Sequence, residues 1–307
     1  MNSKKVICWG NSYIFSIILK ILWILILLLL IIFIIKSCYQ CNYRITIVDK
    51  TGYLPEKEDW NNIPDVVPPY NDDDTLNLPE IVSLEQFFPP IGDQGKKGTC
   101  VAWAVGYNLK TALNAIDHHW DSSMLSLPSY QTSPQDLWLS IPEHKKGAGC
   151  SGTFFEAAFN SLLTVGAASM ELVPYRVLHG CDGIAVGDSI NRISNFYHVT
   201  SDGKLPKIGE LKAYLADTIP LVISAHLGDN FMKWSNDKVI KSDTYNYTGM
   251  HAYHAMVLVG YDNSRQAFRL RNSWGPKWGD DGSVWVDYSF FCNEMCDEVF
   301  MAENINY

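Results

Sequence analysis

Clustered positive charge is missing from this 307-residue sequence: 24 Lys and Arg stand against 33 Asp and Glu, a net charge of -9. Without a Lys/Arg-dense face, nothing can drive counterion release from a phosphate backbone, which excludes nucleic acid as a partner. No internal repeat is present, so the chain is not a repeat array. No A-x-A-like site follows the long apolar run near the start, which argues against a cleaved signal peptide. No short loop brings the pair Cys38 and Cys41 to the pair Cys292 and Cys296, which argues against a tetrahedral zinc site.

What is present is a foldable composition, 47% hydrophobic and 13% aromatic, long enough for one large domain or two small ones. The apolar run spans Tyr13 to Ile35 and is broken only by Ser16 and Lys20. At 1.5 Å per residue, 23 residues are enough for a hydrocarbon core of about 30 Å, so the run predicts a single transmembrane signal anchor at 13–35 in contact with membrane lipid. Residues 1–12 form a short tail before it. Lys4 and Lys5 on one side balance Lys36, Arg44 and Lys50 on the other, so charge does not orient the span. Eight cysteines permit disulfides without assigning them, and Asn246, Tyr247 and Thr248 form a glycosylation acceptor.

Residues 36–77 carry Pro55, Pro64, Pro68 and Pro69 and the acidic run Asp72 to Asp74, the composition of a stalk or short pro-segment. The compact part is expected at 78–307. From Cys100, apolar residues at 101, 105, 109, 112, 113 and 116 have helical spacing, and "TFFEAAFNSLLTVG" and "IGELKAYLAD" add further helices. Then "PLVISAHL", "YHAMVLVGYD", "QAFRLRNSW" and "GSVWVDY" read as strands. Helices first and strands last predict an α+β protein with a helical lobe, an antiparallel barrel-like lobe and a cleft between them.

Cys100 follows the glycine-rich stretch "GDQGKKGT" at the start of a predicted helix. Backbone N–H groups left unpaired there favour the thiolate, which is the nucleophilic form; the plain alternative is a small buried hydrophobe. A thiolate needs a base. His254 stands at a loop–strand junction, with the histidines at 118, 119, 144, 179, 198, 226 and 251 as competitors. Asn272 follows a strand and precedes Trp274, placing it to orient an imidazole beneath an aromatic cover, although an Asn before Ser is also an ordinary turn residue.

Three blocks, Q-G-x-x-G-x-C at Gln94 to Cys100, H-A-M-V-L-V-G-Y at His254 to Tyr261 and R-N-S-W-G-x-x-W-G-x-x-G at Arg271 to Gly282, resemble the papain-like cysteine peptidases. That family places His and Asn about 130 to 150 residues beyond the cysteine; here they lie 154 and 172 beyond it, with the polar stretch 228–249 absorbing the excess. The resemblance implies a papain-like two-lobed fold and a cysteine endopeptidase with Cys100 as nucleophile, His254 as acid–base, Asn272 as its orienting group and Gln94 in the oxyanion hole. It implies peptide or protein substrates and no metal or organic cofactor. It also makes an extracytoplasmic or luminal catalytic domain the expectation for a single-pass membrane protein. An inactive papain-like binding module and a thiol-dependent amidase or aminopeptidase are the alternatives.

Three departures stand out. Lys97 occupies the place of the family's upstream cysteine, which leaves Cys150 without its usual partner and free to pair with Cys181 or stay reduced. Thr153 stands where a glycine commonly lets substrate backbone approach. Residues 36–77 do not resemble the family's helical inhibitory propeptide.

Overall fold

The structure is a computed structural model and describes residues 17, 19–28, 52–54, 65–66, 77–176, 183–199, 205–245 and 252–305. Two compact units divide the chain, Met1–Ile47 and Val48–Tyr307. In the first, helix is described at residue 17 and over 19–28. Ten consecutive residues rise only about 15 Å, half of a hydrocarbon core. Among the described residues no helix is long and apolar enough to cross a membrane. The expected single-pass placement, with its luminal or extracytoplasmic domain, is corrected on that finding; the remainder of the 13–35 run lies outside the described residues.

In the second unit the central helix, α1, runs through Cys100–Ala102, Trp103–Lys110 and Thr111–His118, its middle stretch wound as a π-helix. Val101, Val105, Leu109 and Ala112 are buried, as their spacing predicts, and the π-wound stretch is buried throughout. The helix ends where His119 takes a left-handed φ of 55° and the Trp120 N–H reaches back to Ala115 O at 3.0 Å. Helix α2, Pro134–Ser140, starts with Pro in its first turn and with Ser133 Oγ accepting the Asp136 N–H at 3.1 Å, two signals of a helix start. Helices α3, Phe155–Thr164, and α4, Ile208–Ala216, occupy the two further stretches expected to be helical.

Among the described residues nine strands form one sheet: β1 Asp65–Val66, β2 Ile81–Ser83, β3 Ile193–Val199, β4 Leu221–Leu227, β5 Val239–Ile240, β6 Ala252–Asp262, β7 Ala267–Arg271, β8 Ser283–Asp287 and β9 Cys296–Asn304. Their order is β1-β3-β9-β4-β6-β7-β8-β5, with β2 also on β6. Pairing is antiparallel except at the two ends, where β1 joins β3 and β5 joins β8 in parallel. The expected barrel is corrected here: the sheet is open. Closure needs edge strands that bond to each other, and both edges are two-residue strands with no ladder between them. The fold mixes helices with this one sheet. One buried cluster joins Val101, Val105, Leu137 and Phe155 of the helices to Val222, Val257 and Phe300 of the sheet, which brings the start of α1 against β6.

Candidate active site

Cys100 is the first residue of α1, preceded by Thr99, whose side chain makes no capping bond. The backbone N–H groups of Ala255 on β6, of Val101 and Cys100 at the helix start and of Tyr53 lie near the thiol. These donors favour the thiolate, as the helix start predicts, but burial outweighs them and pushes the thiol up to about 12. The expectation of an already lowered pKa is therefore corrected: the thiol is fully buried, and burial is the larger effect.

His254 is fully buried on β6, opposite Ala225 of β4. Its Nε2 lies 2.7 Å from Asn272 Oδ1, which also accepts the Ser273 N–H at 2.7 Å. An oxygen that already accepts a backbone N–H is an acceptor for the ring too, so Nε2 carries the proton and Nδ1 keeps its lone pair. Nδ1 is buried with no hydrogen-bond partner among the described residues. Burial pushes the imidazole down to about 4, against the opposing pull of Asn272. The Trp274 ring lies over the imidazole, centroids 4.6 Å apart, and packs against Trp278 at 5.1 Å, closing this side to water.

Gln94 is fully buried. Its amide is clamped: Nε2 donates to Lys97 O at 2.8 Å, Oε1 accepts from Ser273 Oγ at 2.6 Å, and its backbone N–H reaches Ser273 O at 2.8 Å. Ser273 thus links two of the sequence blocks, since it bonds Asn272 on one side and Gln94 on the other. Of the competing histidines, 118, 119 and 144 are exposed, His198 packs on Phe300, His226 stacks between Tyr245 and Tyr253, and 179 and 251 lie outside the described residues.

The cleft beside Cys100 holds a piece of the chain itself. Gly52 O accepts the Thr153 N–H at 2.7 Å and the Leu54 N–H donates to Thr153 O at 2.9 Å, a parallel bridge centred on Tyr53. The approach is close enough that a Cβ on Gly52 would come within 2.2 Å of Gly98 O, so only glycine fits there. Thr153 does not block this contact because its hydroxyl turns away to Lys145 O at 2.8 Å, leaving its backbone facing the cleft. Tyr53 is 4% exposed; its ring packs on Phe155, centroids 5.1 Å apart, and its hydroxyl donates to Glu298. Cys150 is in a disulfide, whereas Cys100, Cys292 and Cys296 are free. Cys181 lies outside the described residues.

The model of the papain family of cysteine proteases matches residues 82–301, well over half of the chain. The chain belongs to that family. Among curated papain-family relatives it is 28% identical over 212 residues to gamete and mating-type specific protein A of Dictyostelium discoideum, covering 68% of this chain and 42% of that protein. It is also 28% identical over 225 residues to the oryzain beta chain of Oryza sativa subsp. japonica, covering 70% and 43% respectively. The chain thus spans less than half the length of either relative. Xylellain, a cysteine protease from Xylella fastidiosa, superposes with a TM-score of 0.65 at 23% identity over 84% of this chain and 97% of its own. Digestive procathepsin L 3 of Tenebrio molitor gives 0.63 at 19%, over 85% and 78%. At those identities the structural likeness is one of fold.

Tyr53, Ser273 and Glu298 had no role in the sequence reading. Ser273 lay inside a quoted block without a partner to suggest its part. Glu298 did leave a signal: it takes the inward place between Cys296 and Phe300 in an alternating strand, where a carboxylate needs a reason to be buried. For Tyr53 no local pattern existed.

Proposed function

We propose that residues 78–307 form a cysteine peptidase domain that hydrolyses peptide bonds through Cys100, His254, Asn272 and Gln94. The observation that carries this is the orientation of His254. Asn272 holds its Nε2, and the lone pair of its buried Nδ1 has no hydrogen-bond partner among the described residues, in a site where the Ala255 N–H, next along the chain, lies near the Cys100 sulfur. In the first step the thiol proton passes to Nδ1 and the sulfur attacks the substrate carbonyl carbon. The Gln94 amide and the Cys100 N–H stabilise the resulting oxyanion, a contribution of about 2.7 to 4 kcal/mol for one such donor in acyl transfer. The C–N bond then breaks as the imidazolium gives its proton to the leaving amine, leaving a thioester on Cys100. Water, deprotonated by His254, attacks that thioester; a carboxylic acid departs and the thiol is restored.

In this reading residues 52–54 belong to a pro-segment that fills the cleft. The Tyr53 N–H lies near the sulfur and the segment runs parallel to Thr153, so it covers the nucleophile. Its cover also supports the burial that keeps thiol and imidazole neutral; with the segment gone, rehydration lowers the thiol pKa and raises that of His254, favouring the ion pair. Purified Cys100→Ala protein, folded by circular dichroism, should hydrolyse no peptide or denatured protein. Turnover retained in that variant would exclude the mechanism.

A further inference from the structure

The two oxyanion donors of the peptidase reading, the Gln94 amide and the Cys100 N–H, are joined by a stretch with little structure of its own. Residues 94–99 are turn and bend, Gly95 and Gly98 lie among them, and Gly95 takes a left-handed φ of 64°. A glycine-bearing turn does not by itself hold two groups at a fixed distance. Their spacing matters to an oxygen that must meet both, since a displacement of about 1 Å in a catalytic constellation can cost about 100-fold in rate.

From the sheet, Ser273 holds Gln94 through the bonds to its N–H and its Oε1. From the helices, the hold is Tyr175. Its hydroxyl donates to Gln94 O at 2.9 Å and lies 2.9 Å from Thr99 Oγ1. A phenol has one proton to give, so Thr99 is the donor of the second bond. That use of its hydroxyl accounts for a threonine that precedes α1 and caps nothing. One oxygen therefore ties the backbone of Gln94 to the residue before the nucleophile, across the open span of the turn.

Tyr175 is itself fixed. Its neighbours in the chain are bound to the start of α2, where Ser133 Oγ donates to Val173 O at 2.6 Å and Gln135 Oε1 accepts the Arg176 N–H at 2.8 Å. Its ring meets Trp103 of α1 edge-on, centroids 4.8 Å apart, and Trp103 in turn packs so closely on Gly92 that a Cβ there would come within 1.9 Å of the indole. Burial raises the pKa of the phenol, so the hydroxyl keeps the proton it donates at neutral pH.

We propose that Tyr175 is a positioning residue for acyl transfer, its hydroxyl fixing the spacing between the Gln94 amide and the Cys100 N–H. This rests on the peptidase reading of the cleft. Tyr175 acts through those two groups, so its loss should be felt where an oxyanion forms and nowhere else in the chemistry of Cys100.

The test is Tyr175→Phe in the full chain, which removes one oxygen and keeps the ring. kcat for a peptide should fall about tenfold, with KM within about twofold of the parent. Two further readouts separate positioning from a general loss of structure. Alkylation of Cys100 by iodoacetamide displaces iodide from a saturated carbon and forms no oxyanion, so its rate should not change. A peptide aldehyde accepts the Cys100 sulfur at its carbonyl carbon while the thiol proton moves to the imidazole or the new oxygen, which takes the oxyanion place; its Ki should rise about tenfold, whereas the matching peptide alcohol should bind as before. In a Gln94→Ala background, where no amide is left to place, Tyr175→Phe should cost less than about twofold in kcat. Thr99→Val, which cuts the second bond, should move kcat and the aldehyde Ki in the same direction by a smaller factor. Unchanged kcat and aldehyde Ki in Tyr175→Phe, an equal loss in alkylation and turnover, or the full loss retained in Gln94→Ala would overturn the assignment. A parent chain that neither hydrolyses peptides nor is inhibited by the aldehyde would overturn the peptidase reading, and this proposal with it. If Tyr175→Phe does not fold, Thr99→Val alone and in the Gln94→Ala background decides by the same readouts.

Discussion

Replacing Tyr53 with alanine in the full chain should turn a blocked cleft into an open one. The ring is 4% exposed in the cleft, and burying an aromatic of this size is worth about 1.5–3 kcal/mol. Its hydroxyl donates to the buried Glu298 carboxyl, and a hydrogen bond between neutral groups adds about 0.5–1.5 kcal/mol. The middle of those ranges sums to about 3 kcal/mol, a shift of about 100-fold between covered and uncovered cleft at tenfold per 1.4 kcal/mol. An occupant of this kind raises apparent KM by the fraction of molecules it covers and leaves kcat alone, because saturating substrate displaces it. Tyr53→Ala should therefore lower KM for a fluorogenic peptide by up to about 100-fold with kcat unchanged, and Tyr53→Phe should lower it less. Steady-state kinetics on both variants, with thermal melts to verify folding, provides the assay. A KM within twofold of the parent, or loss of turnover in a folded Tyr53→Ala chain, would refute the covering role.

Asn272→Ala should move the basic limb of the kcat/KM pH profile downward, because the Asn272 hydrogen bond raises the His254 pKa and its loss makes the imidazolium easier to deprotonate; an unmoved or raised limb would contradict that. Gln94→Ala should reduce kcat by about 100- to 1,000-fold with little change in KM, as one oxyanion donor does, and a KM effect alone would assign Gln94 to binding. Glu298 has a folded pKa raised from 4.5 to about 7, so the folded state holds a proton that the unfolded state has released between those values, and stability contributed by this group falls as pH rises through that window. His254, lowered to about 4, acts in the opposite sense between about pH 4 and 6.5. The Glu298 part is therefore the difference between the pH–Tm curves of the parent and Glu298→Gln, and it should slope downward with pH.

The blocks of the proposed site stand out in the sequence because each pairs a reactive side chain with a local cue. Cys100 begins a helix, His254 opens a strand, and Asn272 follows one directly ahead of Trp274. What failed was what depends on surroundings. Thiol chemistry was read from the helix start alone, and the burial that reverses its sign comes partly from Tyr53, 47 residues earlier in a proline-broken segment without periodicity. Alternating strands predicted antiparallel pairing, but whether a sheet closes depends on its edges, and β1 and β5 are too short to register in the sequence. The apolar run at 13–35 counts residues, whereas crossing a membrane needs a continuous helix of that length, which the described residues do not contain. Thr153 stands where a glycine commonly lets backbone approach, and its hydroxyl finds an acceptor in Lys145 O that only the fold brings near.

The central claim is that Cys100 is the nucleophile of a site gated by Tyr53, and the direct measurement is covalent. The full-length chain and its Tyr53→Ala variant are treated with a peptidyl epoxide, and the labelled peptide is identified by mass spectrometry. A single adduct on Cys100 is expected, forming faster in Tyr53→Ala and absent in His254→Ala. Labelling of Cys292 or Cys296 in its place, or an adduct on Cys100 at the same rate with and without His254, would contradict it.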